Sequence, residues 1–205
     1  MKRVYFDTET TGFKPGQICQ LSVIVEDDGK ISAHNFFFEV KNVEEGAAAA
    51  TGRGTDFYKQ VASNIFFKDK ADEIINIFTD ATFIAHNLKF DEGFLSAELW
   101  RCNKQVTPKD RVDTMHVFTD IVKARNSYGK VKYPKLSEVV SHYMIDENKV
   151  KHLVHTWFDC SDNTSDAFHD ARFDTTCMFV AYQIYLEDLY NLPEKQWKNN
   201  FTKGR

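Results

Sequence analysis

Four carboxylates and one histidine stand where residue type and spacing permit chemistry. Asp7 and Glu9 close the apolar run of "VYFDTETTG", residues 4–12. In a strand, residues two apart face the same side, so both acids enter one small volume while Thr8 points away. Like charges so placed repel, and one pKa rises unless a cation or hydrogen bonds compensate. Solvated acids on an exposed strand end are the other reading of this pair taken alone. Gly12 adds a tight turn that lets backbone and ligand come close. Asp91 lies in "HNLKFD", residues 86–91, and His169 and Asp174 in "HDARFD", residues 169–174. Asp91 and Asp174 sit in otherwise apolar, helix-patterned segments. A buried acid without a partner is costly, so both are either exposed or gathered around something positive.

The elements that must position these groups follow from periodicity. Residues 3–9 read as a first strand. Residues 17–40 give two alternating β-type runs about the turn "EDDGK" at 26–30, an antiparallel three-stranded opening. The small-residue stretch "GAAAATGRGT", 46–55, lacks the ending of a phosphate-binding P-loop and reads as a flexible connection. From residue 69 the period becomes helical, with Ala71, Ile74, Ile75 and Phe78 on one face. A short buried strand at 81–86, a helix at 88–102 and a short strand at 111–114 follow. Helices are predicted at 115–124 and 135–144, separated by a basic loop with two tyrosines. The last helix runs over 168–189, with Ala171, Thr175, Met178, Phe179, Tyr182, Leu186 and Leu189 on its apolar face. Strands first, then strands mixed with helices, make an α/β chain with a mixed sheet. The expected organisation is one domain, 1–190, and a short tail, 191–205.

Bulk properties narrow the class. The 205 residues include 18 Phe, enough for a large aromatic core. The net charge of −4 supplies no overall field for nucleic acid, so such a substrate needs local basic patches or bound cations. No stretch reaches the length of a membrane span, and no signal-like apolar segment opens the chain. Cys19, Cys102, Cys160 and Cys177 are scattered without CxxC spacing, as thiols of a reducing compartment are. The expectation is a soluble, cytoplasmic protein. His152 and His155 have no acid or cysteine at metal spacing and read as structural or surface residues.

"FDTETTG", "HNLKFD" and "HDARFD" together resemble the three motifs of the DEDDh group of DnaQ-like 3′→5′ exonucleases. The intervening "RVDTMHVF" and "YPKLSEVVSHYMI" resemble what separates the second and third motifs there, so the likeness spans residues 3–189. It implies an RNase H-like fold, a five-stranded mixed sheet with helices on both sides. It also implies that Asp7, Glu9, Asp91 and Asp174 converge on two divalent cations. In that pattern Asp7 bridges both, Glu9 and Asp174 hold the one carrying the attacking water, and Asp91 acts largely through waters. All-oxygen ligation suits Mg²⁺ or Mn²⁺ rather than zinc. Two such cations stabilise the attacking and leaving oxygens of an in-line displacement. His169 then accepts the proton as general base, and it marks the histidine branch, since the neighbouring subgroup has Tyr there.

The same resemblance assigns substrate contacts to Thr10, Thr11 and Phe13, with Asn87 positioning the strand. Phe13 is either a wedge stacked on the terminal base or ordinary core. His86 is expected to complete local hydrogen bonding. Lys123, Arg125, Lys130, Lys132 and Lys135 form either a phosphate track or a solvated basic loop. The implied partner is the 3′ end of a single strand, DNA ahead of RNA, and the implied products are nucleoside 5′-monophosphates. An RNA-trimming or oligoribonuclease-type enzyme and a non-catalytic 3′-end-binding module are the alternatives. The short tail favours a free-standing enzyme over a polymerase-bound one. Oligomeric state is not legible.

Overall fold

The computed structural model describes residues 1–160 and 169–190. Five strands, β1 (Arg3–Thr10), β2 (Ile18–Asp27), β3 (Lys30–Phe37), β4 (Thr82–Ala85) and β5 (Asp110–Asp113), form one sheet in the order β3-β2-β1-β4-β5. The first three are antiparallel, and β4 and β5 run parallel to β1. The described helices are α1 (Glu45–Thr51), α2 (Thr55–Ala62), α3 (Phe67–Phe78), α4 (Leu88–Arg101), α5 (Thr114–Val122), α6 (Leu136–His142), α7 (Glu147–Trp157) and α8 (Ala171–Tyr190). This is the five-stranded mixed sheet that the sequence implies. The expected tail at 191–205 and residue 168, the first of the expected last helix, lie outside the described residues, and α8 begins at Ala171 rather than at 168.

β1 is central, so both its faces are covered and its apolar run is continuous rather than alternating. Val4 and Phe6 pack on one side with Phe78, Phe83, Leu95 and Leu99, beneath α3 and α4. Tyr5 packs on the other with Ile24, Ile84, Phe179 and Ile184, beneath α8. Strand parity then fixes the functional geometry. Asp7 and Glu9 continue the Tyr5 side and face α8, whereas Thr8 faces α4. Across the β1–β2 ladder, Asp7 pairs with Ser22 and Glu9 with Gln20. The apolar face therefore turns polar towards the end of β1, and the register shift between Glu9 and Thr10 marks a local irregularity at that point.

Two sequence expectations need correction. Residues 46–55 are not a simple flexible connection: α1 and the start of α2 occupy most of them, joined through Gly52, whose φ of 71° favours glycine. A run of alanines is a strong helix former, and the flanking glycines hid it. The second omission is α7, whose Asp146 cap accepts from the Asn148 amide at 3.1 Å and whose Val150 and Val154 are buried. His152 on it is exposed and His155 half-buried. The basic loop expected between the helices is found between α5 and α6, with one β-bridge, Arg125 to Val131. Among the described residues, no helix is long and apolar enough to cross a membrane.

Candidate active site

Carboxylate oxygens of Asp7, Glu9 and Asp174 lie within 4.8 Å of one another. Asp7 and Glu9 come from β1, and Asp174 from the first turn of α8, which lies across β1 and β2. The helix is held there by apolar burial and by Thr175, whose hydroxyl donates to the Ser22 carbonyl at 3.4 Å. No Lys or Arg among the described residues forms an ion pair with any of the three acids. Asp174 Oδ2 accepts from the His169 amide at 3.1 Å, while its buried Oδ1 has no hydrogen-bond partner among the described residues.

Such packing disfavours charge. Burial, then the negative field of Asp170, pushes Asp7 up to about 7. Burial and the neighbouring carboxylates raise Glu9 and Asp174 well above the carboxylate range. An all-oxygen donor set, an orphaned buried oxygen and acids that no ion pair neutralises among the described residues fit a hard divalent cation.

Asp91 arrives from the opposite face of the sheet. The β1–β4 ladder ends at Tyr5 and Ile84. Beyond it, Asp91 Oδ1 accepts from the Thr8 amide at 3.0 Å and the Thr8 hydroxyl at 2.7 Å. Burial and then Asp7 raise its pKa well above normal. Three of the four acids expected to converge thus meet directly, and the fourth grips the strand that carries two of them.

His169 stands at the site with an exposed side chain and a backbone φ of 69°, a conformation that lets its amide reach Asp174. The following residue, Asp170, escaped sequence reasoning. It caps α8 by accepting from the Arg172 amide at 2.9 Å. Its carboxylate is buried between two guanidiniums: Arg172 bonds both oxygens at 2.9 Å, and Arg53 reaches Oδ2 at 2.8 Å. Gln20 adds a bond at 3.2 Å. Arg53 comes from the α1–α2 junction and also lies over the Phe57 ring, 5.0 Å from its centroid. An acid just before a helix is a legible cap, but its partner more than a hundred residues upstream is not.

The proposed substrate contacts divide. Phe13 is 76% exposed, so it is not core. With Pro15, Asn87, Lys89 and Phe90 it lines a cleft of about 310 Å³. Thr10 and Thr11 are instead buried in the loop: the Thr10 hydroxyl donates to the Gly12 carbonyl at 2.9 Å, and Thr11 Oγ1 accepts from the Gln17 amide at 3.0 Å. At Gly12 the close approach is made by protein. An added Cβ would stand 2.4 Å from the Glu44 carboxyl carbon.

Asn87 opens α4 at φ 80°, its amide held by Asp113 at 3.0 Å. The same carboxylate takes the Leu88 amide at 3.1 Å and caps α5 through Met115 at 3.0 Å. His86 makes the local bonds expected of it. Nε2 donates to the Pro134 carbonyl at 2.9 Å, and Nδ1 meets the Thr114 hydroxyl at 3.1 Å. Burial lowers its pKa, in keeping with a neutral ring. A larger groove of about 940 Å³, lined in part by Leu88, His116, Tyr182 and Leu189, lies apart from the three-acid cluster. Chemistry rather than volume singles out the candidate site.

Comparison with known proteins agrees with this geometry. A family model described as Exonuclease (RNase_T) matches residues 4–176. The chain is 29% identical over 139 residues to the 3′-5′ exonuclease DinG of Bacillus subtilis, covering 66% of this chain and 14% of that protein. It is 24% identical over 157 residues to the DNA polymerase III subunit epsilon of Buchnera aphidicola, covering 72% and 63%. Among solved structures, E. coli Exonuclease I in complex with a dA16 oligonucleotide superposes with a TM-score of 0.67 at 15% identity, over 92% of this chain and 41% of that one. The chain thus spans less than two thirds of the length of each of these relatives, and the structural likeness supports the RNase H-like fold. With the family match extending across the first and second motifs and into α8, the chain belongs to the exonuclease family.

Proposed function

We propose that this chain is a metal-dependent 3′→5′ exonuclease that shortens single-stranded DNA, or frayed 3′ ends, one nucleoside 5′-monophosphate at a time. The observation that carries this reading is the cluster of Asp7, Glu9 and Asp174, uncompensated by any ion pair among the described residues. The names of the similar proteins, two of them exonucleases and one a polymerase subunit, support it.

Asp7, Glu9 and Asp174 would hold two divalent cations, Mg²⁺ or Mn²⁺, with Asp91 contributing from the far side of β1. Such cations supply charge stabilisation for the attacking and leaving oxygens of an in-line displacement. The remaining work falls to the chain. Phe13 and Phe90 flank a cleft where the terminal base stacks, and Asn87 at its rim orients the sugar-phosphate. His169 takes a proton from water as its oxygen attacks phosphorus. The phosphorus–O3′ bond breaks, the released O3′ takes a proton from solvent to become the new 3′ hydroxyl, and His169 returns its proton to solvent. Asp91 holds β1 in register through Thr8, fixing the acids on either side of that residue.

The test is a 5′-labelled single-stranded DNA oligonucleotide and its RNA counterpart, each with Mg²⁺, Mn²⁺ or EDTA, resolved on a denaturing gel. Shortening from the 3′ end that EDTA abolishes, faster on DNA, is the expected result. A clear preference for RNA replaces the substrate assignment with an exoribonuclease. Intact oligonucleotides under all conditions, with binding retained, leave a 3′-end-binding module.

A further inference from the structure

The segment between α5 and α6 is a compact hairpin rather than an open loop. The Lys132 amide donates to the Ala124 carbonyl at 2.8 Å, and Arg125 and Val131 form a β-bridge. At the tip, Asn126 Oδ1 accepts from the Tyr128 amide at 3.0 Å and the Lys130 amide at 3.1 Å. Gly129 completes the turn at φ 74°. The Tyr128 side chain is left 87% exposed, and Tyr133 below it 56%. Lys123, Arg125, Lys130, Lys132 and Lys135 lie within 13 residues that contain no acid, in a chain of net charge −4. Only Lys132 among them is in an ion pair among the described residues, with Glu138.

We propose that this hairpin docks the nucleotides lying 5′ of the cleaved one, with Tyr128 stacked on a base and Lys123 and Lys130 on phosphates. The proposal rests on the exonuclease reading above and extends it to a second contact region. Position supports it first. His86 is the first residue after β4, the strand that lies next to β1 in the sheet. Its ring holds the Pro134 carbonyl at 2.9 Å, so the base of the hairpin is anchored beside the end of β4, next to the strand that carries Asp7 and Glu9.

Charge supports it second. The side of Gly12 and Phe13 carries mixed charge, with exposed Glu44 against Gly12 and exposed Lys14 beside Phe13, whereas the hairpin segment carries no acid. A strand leaving the acidic centre is therefore drawn to the basic side. A tyrosine held at a fixed tip offers stacking that tolerates any base, with little left to order on binding.

The experiment compares a long single-stranded oligonucleotide with p-nitrophenyl thymidine 5′-monophosphate, which has no upstream strand. Tyr128→Ala is expected to lower kcat/KM on the oligonucleotide about 10-fold relative to the ester, within the range of base–aromatic stacking, and Tyr128→Phe to restore it. Lys123→Gln with Lys130→Gln should reduce the salt slope of oligonucleotide affinity by ~1.4, at ~0.7 per phosphate contact. Wild-type behaviour of both variants on the oligonucleotide, or equal losses on both substrates, overturns the docking surface. If the wild type cleaves neither substrate, the exonuclease reading fails. Fluorescence anisotropy with the same oligonucleotide and variants then decides the docking surface alone, unchanged affinity refuting it and the same graded losses upholding it.

Discussion

Removing one of the clustered acids should stabilise the protein when no metal is present. Asp7 is moved from an ordinary 3.8 to about 7 by burial and by Asp170. The sign follows from linkage. The native state binds this proton more tightly than the unfolded chain, so the ionised carboxylate penalises folding above pH 7. The penalty fades as pH falls through 7 and is gone below about 4. At pH 8 it amounts to about 4 kcal/mol, at ~1.4 kcal/mol per tenfold change in proton affinity. With half of it offset by water reaching the half-open site, Asp7→Asn gains about 2 kcal/mol, or ~4–8 °C in Tm for a chain of this size. The assay is thermal unfolding of metal-stripped wild type and Asp7→Asn from pH 5 to 8.5, repeated with Mn²⁺. The variant should melt higher at pH 8, and the difference should shrink as pH falls through 7. Mn²⁺ should raise the wild type far more than the variant. A variant equal to or less stable than wild type at pH 8 without metal, or a gap that widens on acidification, refutes the reasoning.

Replacing Asp170 by Asn removes the buried carboxylate that both guanidiniums bond and should cost ~3–5 kcal/mol in urea unfolding, whereas Arg53→Ala, which leaves Arg172 in place, should cost ~1–3 kcal/mol. Equal losses would mean that Asp170 and Arg53 act only on each other. His169→Asn keeps a residue that tolerates the positive φ, and kcat should fall ~10²–10⁴-fold with Tm unchanged. Phe13→Ala should raise KM for single-stranded substrate by the equivalent of ~1–3 kcal/mol, and unfolding should not register the change because the ring is exposed.

The fold was legible wherever one residue's neighbours in sequence also decide its surroundings. β1 announced itself by an apolar run bounded by acids, and β2 and β3 by alternation about "EDDGK". The predicted strand at 81–86 and helix at 88–102 fall within a residue or so of β4 and α4. Failures came where local cues conflict. Four alanines favour a helix, yet glycines on both sides read as a loop, and tertiary contact resolved the matter by placing α1 beside the site. In α7 only Val150 and Val154 are fully buried, too narrow an apolar stripe to stand out from its charged and histidine neighbours.

Within the site, spacing alone gave one fact with certainty, the shared face of Asp7 and Glu9, because a period of two is a property of the strand itself. Which face that is could not be read, since it depends on α8 covering the side of Tyr5 and α4 the side of Phe6. The consequence is a division of labour among the acids. Asp7, Glu9 and Asp174 meet on the α8 face, while Asp91, equally acidic and equally well placed in its motif, is committed to Thr8 from the α4 face. A strand gripped from behind by one carboxylate cannot slide by a residue without exchanging its two faces. The buried Asp170 does the same for the start of α8, tied by Arg53 to the α1–α2 junction and by Gln20 to β2. The two acids that bring no oxygen to the three-carboxylate cluster therefore anchor its two sources, β1 to α4 and the start of α8 to β2 and the α1–α2 junction. Mutual repulsion within the cluster would otherwise favour their separation.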